Sequence, residues 1–275
     1  MALFVNTNLF SINAQRHLEE TADGLRTSLA RLSSGVRIND AVDDAAGLAI
    51  ADKLQRDVRV AGQAIRNAND GISALAIGEK ALGNVTTTLV RLSELASQSA
   101  TGTITNTQRS AIQQEFGQLL SEITRISNTT TFNGVNLLSS GTTVSVQVGL
   151  DGTTNSRIDF TTVDGSLSGI FSGQTAIAAD TASNAQSALG ILTSAIATVT
   201  QTRGTLGAYQ SRLVTSIANL RVARENFSAA ESRIRDTDVA VETANLTRAQ
   251  ILQQAGVAVL AQANQQPQLA LSLLR

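Results

Sequence analysis

Apolar residues recur at helical spacing over most of this chain. Ala14, Leu18, Leu25, Leu29, Leu32 and Val36 follow one another at steps of three, four or seven, which puts them on one helix face. Ser33-Ser34-Gly35 reads as the C-terminal stop of that helix. Asp43-Asp44 before Ala45-Ala46-Gly47 marks the next start, where carboxylates can cap free N–H groups and meet the positive end of a helix dipole. A heptad repeat follows through Leu54, Ala61, Ala68, Leu75, Leu82, Leu89 and Ala96. Its companion stripe runs through Val58, Ile65 and Ile72 and then shifts to Val85 and Leu92, the drift expected of a nearly straight helix. The predicted rod, residues 44–100, is roughly 85 Å long at about 1.5 Å per residue.

Thr101-Gly102-Thr103 breaks the rod, and Thr105 with Gln108 forms a capping-box pattern. The helix it opens, 106–128, carries Ile112, Phe116, Leu119, Ile123 and Ile126 on one face. The period then changes. Phe132-Asn133-Gly134-Val135 centres on Asn-Gly, a strong hairpin signal, and Val144, Val146, Val148 and Leu150 alternate as a half-buried strand. Asp151-Gly152 turns toward a second strand near Arg157–Phe160, and Gly- and Ser-rich loops continue to about Thr175. A second heptad rod, 180–235, carries Ala185, Leu192, Val199, Leu206, Leu213, Leu220, Phe227 and Ile234. Arg203, Gln210, Arg224 and Glu231 interrupt its partner stripe. After Arg235-Asp236-Thr237-Asp238 a terminal helix is predicted from Val239 to about Asn264.

The fold class is therefore mainly α: an elongated antiparallel coiled-coil helical bundle with a small β-hairpin region, plus paired N- and C-terminal helices. Residues 44–235 form the rod domain, with its hairpin region at 130–165. Residues 1–40 and 238–275 form the terminal pair.

Composition sharpens this picture. The chain has 275 residues and a formal charge of −1; 42% are hydrophobic but only 3% aromatic. Its one proline is Pro267 and it has no cysteine, so disulfide scaffolds and thiolate metal sites are excluded. A single histidine, His17, rules out multi-histidine metal sites, and the balanced charge gives no nucleic-acid footprint. Met1–Asn8 lacks the basic start and apolar run of a cleaved signal peptide. Asp40, Asp43 and Asp44 lack the alternating pattern of a calcium loop, so helix capping is the expected role. His17 beside Glu19 and Glu20 has no nucleophile motif near it, and it reads as a surface or interface residue. Asn84-Val85-Thr86 and Asn245-Leu246-Thr247 match a glycosylation pattern but lie on predicted helices; the Ser/Thr-rich loop 141–172 is the better place for a surface sugar. No catalytic, cofactor or metal site is expected.

Ala249–Leu274 carries no charge and is long enough to span a bilayer. Its many Gln residues, Asn264 and Pro267 make lipid an expensive setting, so no membrane insertion is expected and enclosure among other helices is. Both terminal helices carry more apolar surface than one chain can cover. Burial against copies of the same chain resolves this, and a contact that does not close generates a filament. The residues expected at that interface are Leu18, Leu25, Leu29, Leu32, Ile251, Leu252, Val259 and Leu260.

Specific motifs carry a resemblance. Leu32-Ser33-Ser34-Gly35-Val36-Arg37-Ile38-Asn39 and Asp43-Asp44-Ala45-Ala46-Gly47-Leu48-Ala49-Ile50 are similar to the N-terminal signature of bacterial flagellins. Phe132-Asn133-Gly134-Val135 resembles the hairpin of that family. Ala249-Gln250-Ile251-Leu252-Gln253-Gln254-Ala255-Gly256, then Leu260–Asn264 and Leu271–Leu274, resembles its C-terminal signature. The likeness covers roughly 1–140 and 180–275 and leaves little between them, so the chain looks like a short flagellin with only the inner domains.

The resemblance implies a structural subunit of the bacterial flagellar filament used for swimming, secreted and extracellular, with no enzymatic activity. It implies that the terminal segments line the inner tube of a helical homopolymer and fold on assembly. The implied partners are the filament cap, the hook-associated proteins, an export chaperone on the C-terminal region and the flagellar type III export apparatus. Arg91, Leu95 and Glu115 occupy positions that match the family stretch read by the host Toll-like receptor for flagellin; Ser93 and Ser97 differ from some members there. Arg91 and Glu115 making only subunit contacts is an equal alternative. Two rival functions remain open: a hook–filament junction protein of the same superfamily, and an enzyme on a helical scaffold, for which no phosphate loop, metal cluster or triad speaks.

Overall fold

The computed structural model describes residues 7–139, 141–174 and 177–273, with side chains described as far as Gln266. The start of the N-terminal segment and the last two residues of the C-terminal signature region lie outside the described residues, as does the predicted loop end at Thr175. The elements are α1 (Leu9–Ser34), α2 (Ala45–Ala100), α3 (Asn106–Thr129), β1 (Thr131–Phe132), β2 (Val135–Asn136), β3 (Thr143–Gln147), β4 (Arg157–Thr161), α4 (Leu167–Ile170), α5 (Ala182–Arg235) and α6 (Val239–Leu273). They divide into two compact units, with the divisions between Arg56 and Asp57 and between Glu225 and Asn226, inside α2 and α5.

In the unit from Asp57 to Glu225, α2 and α5 run antiparallel. Ala61 and Ala64 cluster with Leu220, Gly71 faces Leu213, and Gly78 faces Leu206. The heptad residues from Ala61 to Ala96 on α2 and from Ala185 to Leu220 on α5 are buried. A fully buried leucine such as Leu82, Leu89, Leu192 or Leu213 contributes about 2 kcal/mol. Arg203, which interrupts the apolar stripe of α5, donates to Glu79 Oε1 through Nε (3.0 Å) and Nη2 (2.6 Å). Two helices leave a coiled-coil seam open at the sides. Here Ile112, Phe116 and Ile123 of α3 close it, together with Val146, Ile158 and Phe160 of the second hairpin.

The ends of α3 are fixed by polar contacts. Thr105 and Gln108 form the capping box that the sequence predicts. Arg109, only 8% exposed, donates from Nε to the Ser99 carbonyl (2.9 Å) and from Nη2 to the Thr101 carbonyl (2.9 Å). The guanidinium thus satisfies carbonyls at the negative end of α2 and locks the turn between the helices. At the other end of α3, Asn136 Nδ2 donates to the Ser127 (3.1 Å) and Asn128 (3.2 Å) carbonyls, so the first hairpin clamps the helix it follows. That hairpin turns at Asn133 (φ 48°) and Gly134 (φ 80°), both in the left-handed region as an Asn-Gly two-residue turn requires.

β3 pairs antiparallel with β4 from Thr143↔Thr161 to Gln147↔Arg157. The strand is shorter than its alternation suggests. Val148 and Leu150 leave the ladder because the amides of Val148 and Gly149 both donate to the Ser156 carbonyl (2.9 and 2.8 Å), which ends the register. The short helix α4 lies where only loop is predicted; Ser166 caps it, and it adds Ile170 to the core.

In the unit that holds the terminal helices, α1 begins at Asn8, whose Oδ1 accepts from the Ser11 amide (3.1 Å). It ends at Gly35 (φ 74°), whose amide donates to the Arg31 carbonyl. Val36, counted on the α1 face by spacing, falls beyond this stop because the left-handed turn redirects the chain; it pairs instead with Asp236 in an isolated antiparallel bridge. The Arg37 amide donates to the Arg235 carbonyl (2.6 Å) and the Thr237 amide to the Gly35 carbonyl (3.0 Å), so the two junctions form one element. Asp44 caps α2 by accepting from the Gly47 amide (2.8 Å). Asp43 plays a different part: its Oδ2 accepts from the amides of Asn39 (3.1 Å) and Asp40 (3.2 Å), and its Oδ1 faces Arg31 at 3.5 Å.

Helix α6 corrects the expected end at Asn264, since it continues through Pro267 to Leu273. A prolyl nitrogen has no hydrogen, so it cannot close the helical bond to the Ala263 carbonyl. Here Asn8 Nδ2 supplies the missing donor at 2.8 Å, which removes the main reason for the helix to stop.

Replacing Arg109 with Met leaves the carbonyls of Ser99 and Thr101 without their donor. The expected loss is about 1–3 kcal/mol, read as a lower urea midpoint with an unchanged slope. A second expectation follows from Asp43, whose carboxyl is held below the ordinary carboxylate range by the amides of Asn39 and Asp40 and by Arg31. A lowered folded-state value means that this brace is fully present above about pH 4 and is lost as pH falls through the lowered value. Asp43→Ala removes both the acceptor for the two amides and the charge facing Arg31 at neutral pH, and faster proteolysis within 36–44 is the expected readout.

Candidate self-association interface

Among the described residues no group of acidic, histidine or cysteine side chains is arranged to hold a metal ion. The feature that stands out is the pairing of α1 with α6. Small residues line the seam on α1: Ser11, Ala14 and Ser28 are buried, and Leu18, Leu25 and Leu32 are half-buried between them. On α6 the covered positions are Glu242, Asn245, Leu246, Ala249, Gln253, Gly256, Leu260 and Ala263, close to a three-four repeat. Small residues let the two backbones approach. A side chain at Gly256 would bring its Cβ within 3.2 Å of Leu18 Cδ1, so a larger residue there would have to displace Leu18 by a few tenths of an ångström.

This seam divides the residues expected at the subunit interface. Leu18, Leu25, Leu32 and Leu260 are committed to pairing within the chain. Leu29 (50% exposed), Ile251 (60%), Leu252 (52%) and Val259 (59%) project away from it. Leu9, Phe10, Ile12 and Val257 are also exposed. Leu9, Phe10 and Ile12 form a short apolar run just after the helix cap that fits no single helical face, and Val257 lies outside the seam positions of α6.

The surface is uncharged over most of α6, because no Asp, Glu, Lys or Arg occurs between Ala249 and Leu274. Among the described residues nothing covers these side chains. Nevertheless, among the described residues no helix is long and apolar enough to cross a membrane. His17 is exposed, with Nδ1 3.2 Å from Glu20 Oε2.

The second candidate site, at Arg91, Leu95 and Glu115, is brought together only in part. Arg91 of α2 donates to Glu115 Oε1 of α3 through Nε (3.1 Å) and Nη2 (2.8 Å), and to Glu94 Oε2 through Nη1 (2.9 Å). The bonds to Glu115 and Glu94 raise the guanidinium further above its ordinary value, so it is always charged. Leu95 is 2% exposed and packed in the core cluster that also holds residues of α3 and α5, so it supports this surface from beneath.

Comparison with known proteins places this geometry. Residues 5–143 match the bacterial flagellin N-terminal helical region, and residues 189–274 match the bacterial flagellin C-terminal helical region. The chain is 45% identical to a flagellin of Halalkalibacterium halodurans, across 99% of this chain and 100% of the relative. It is 38% identical to the flagellar filament 33 kDa core protein of Treponema phagedenis, with the same coverage. A crystal structure of Bacillus cereus flagellin, 26% identical, covers 56% of this chain and 88% of its own with a TM-score of 0.51. Both ends of the chain match the flagellin helical regions and full-length relatives above 30% identity agree with them, so the chain belongs to the bacterial flagellin family.

Proposed function

We propose that this chain is the structural subunit of a bacterial flagellar filament and polymerises through its paired terminal helices. The observation that carries this reading is the set of exposed apolar side chains on α1 and α6, the latter without charge from Ala249 onward, in a chain that matches flagellar filament core proteins end to end. Flagellin family members are structural subunits and not enzymes. The hook–filament junction alternative finds no support among these relatives.

The finer assignments follow from that reading. Residues 1–40 and 238–275 form the inner layer, and 44–235 the layer around it. The polymer is secreted and extracellular. Its further partners are the cap and hook-associated proteins, the type III export apparatus, and an export chaperone that covers the apolar C-terminal region before assembly. Arg91 and Glu115, joined at the surface of α2 and α3, are the residues that a host Toll-like receptor for flagellin would contact.

Val259→Asp places a carboxylate where a neighbouring copy would bury it unpaired, which costs several kcal/mol in the polymer and almost nothing in the single chain. Electron microscopy should show long filaments for the parent chain, and none for this variant or for a chain lacking residues 253–275. Filaments of normal length from either would overturn the role given to α6, and short rings from the parent chain would revive the junction alternative. Arg91→Glu opposes Glu94 and Glu115. Reduced receptor signalling with unchanged filaments assigns the pair to the receptor, and impaired filaments with unchanged signalling assigns it to subunit contacts.

A further inference from the structure

Pro267 and Asn8 are far apart in sequence, yet one carbonyl links them. In an α-helix the Ala263 carbonyl would accept from the amide of residue 267, and proline has none. Ala263 is 8% exposed, so water is poorly placed to replace the bond, and an unpaired buried carbonyl is costly. Asn8 Nδ2 reaches this oxygen at 2.8 Å. The same side-chain amide uses its Oδ1 to cap α1 by accepting from the Ser11 amide at 3.1 Å. Next to it, Ser11 Oγ donates to Asn264 Oδ1 at 2.9 Å, and Ser11 itself is 7% exposed.

We infer that Asn8 is the register clamp of the two terminal helices: one amide caps α1 and completes the helical bonding that Pro267 leaves open in α6. The chemistry needs an amide there. Asp would cap α1 as well as Asn but has no donor for Ala263, and the shorter Ser or Thr carries donor and acceptor on a single atom, whereas the amide places them on two atoms that reach Ser11 and Ala263 at once. The clamp makes the two helices order together. Without α1 in place the Ala263 carbonyl is orphaned, and without α6 the Asn8 donor has no partner. Leu18 opposite Gly256 is then brought into register, and the exposed Phe10, Ile251 and Val259 are held at fixed positions outside the seam. The inference rests on the proposed filament role only for its assembly readout.

The test is a double-mutant cycle at positions that do not bond to each other. Asn8→Asp keeps the cap but turns a carboxylate oxygen toward the Ala263 carbonyl. Pro267→Ala returns an amide donor to that carbonyl from within α6. Asn8→Asp alone should raise the critical concentration for polymerisation by about tenfold, and the double variant should return close to the Pro267→Ala value. Hydrogen exchange on the same full-length chains gives an independent reading. Asn8→Asp should deprotect the segments 9–15 and 257–264 together, and Pro267→Ala should restore the second.

Asn8→Asp behaving like the parent chain overturns the clamp, as does a loss that Pro267→Ala does not relieve, or deprotection confined to 9–15. If the parent chain forms no polymer, the filament reading fails, and exchange on the single chain decides the clamp. The absence of protection in both terminal segments of the parent then overturns it.

Discussion

The structure depends on a mismatch between the apolar surface its terminal helices expose and the partner surface available within one chain. Two paired helices can bury one stripe each. Here that stripe is narrow and built largely of small residues, Ser11, Ala14 and Ser28 against Gly256 and Ala263, so it holds the backbones close while burying little area. The larger side chains, Leu9, Phe10, Ile251, Leu252 and Val259, are left outside. Such a surface is a poor way to stabilise a single molecule and a suitable way to drive association.

The unit from Asp57 to Glu225 is organised differently. Its seam sets leucine, isoleucine and valine among alanines, is closed by α3 and the second hairpin, and its helix ends are satisfied within the chain by Arg109 and Asn136. It has a core of its own and does not need neighbours to bury it. A subunit with one self-sufficient part and one part that is incomplete alone suits a polymer whose joints form only on assembly.

Most of this was legible in the sequence because it rests on periodicity and on caps that act locally. The heptads from Ala61 to Ala96 and from Ala185 to Leu220, the box at Thr105 and Gln108, and the Asn133-Gly134 turn are all decided by residues close in sequence. What was not legible depended on distant partners. Val36 fits the helical spacing of α1, and only the bridge to Asp236 shows where it belongs. Leu95 matches a recognised surface stretch by sequence, but its heptad position buries it. The terminal helix is expected to end near Asn264, because nothing nearby in the sequence says that Asn8 will supply the donor Pro267 lacks. Spacing also assigned Leu18 and Ile251 to one interface, whereas the first faces the partner helix and the second faces out.

A side-chain-resolution image of the assembled polymer tests the central claim most directly. The account predicts that Leu9, Phe10, Ile251, Leu252 and Val259, all more than half exposed in one chain, are buried between copies while Leu18 stays packed on Gly256 of its own chain. A polymer in which those five side chains still face water, with the copies joined elsewhere, would contradict it.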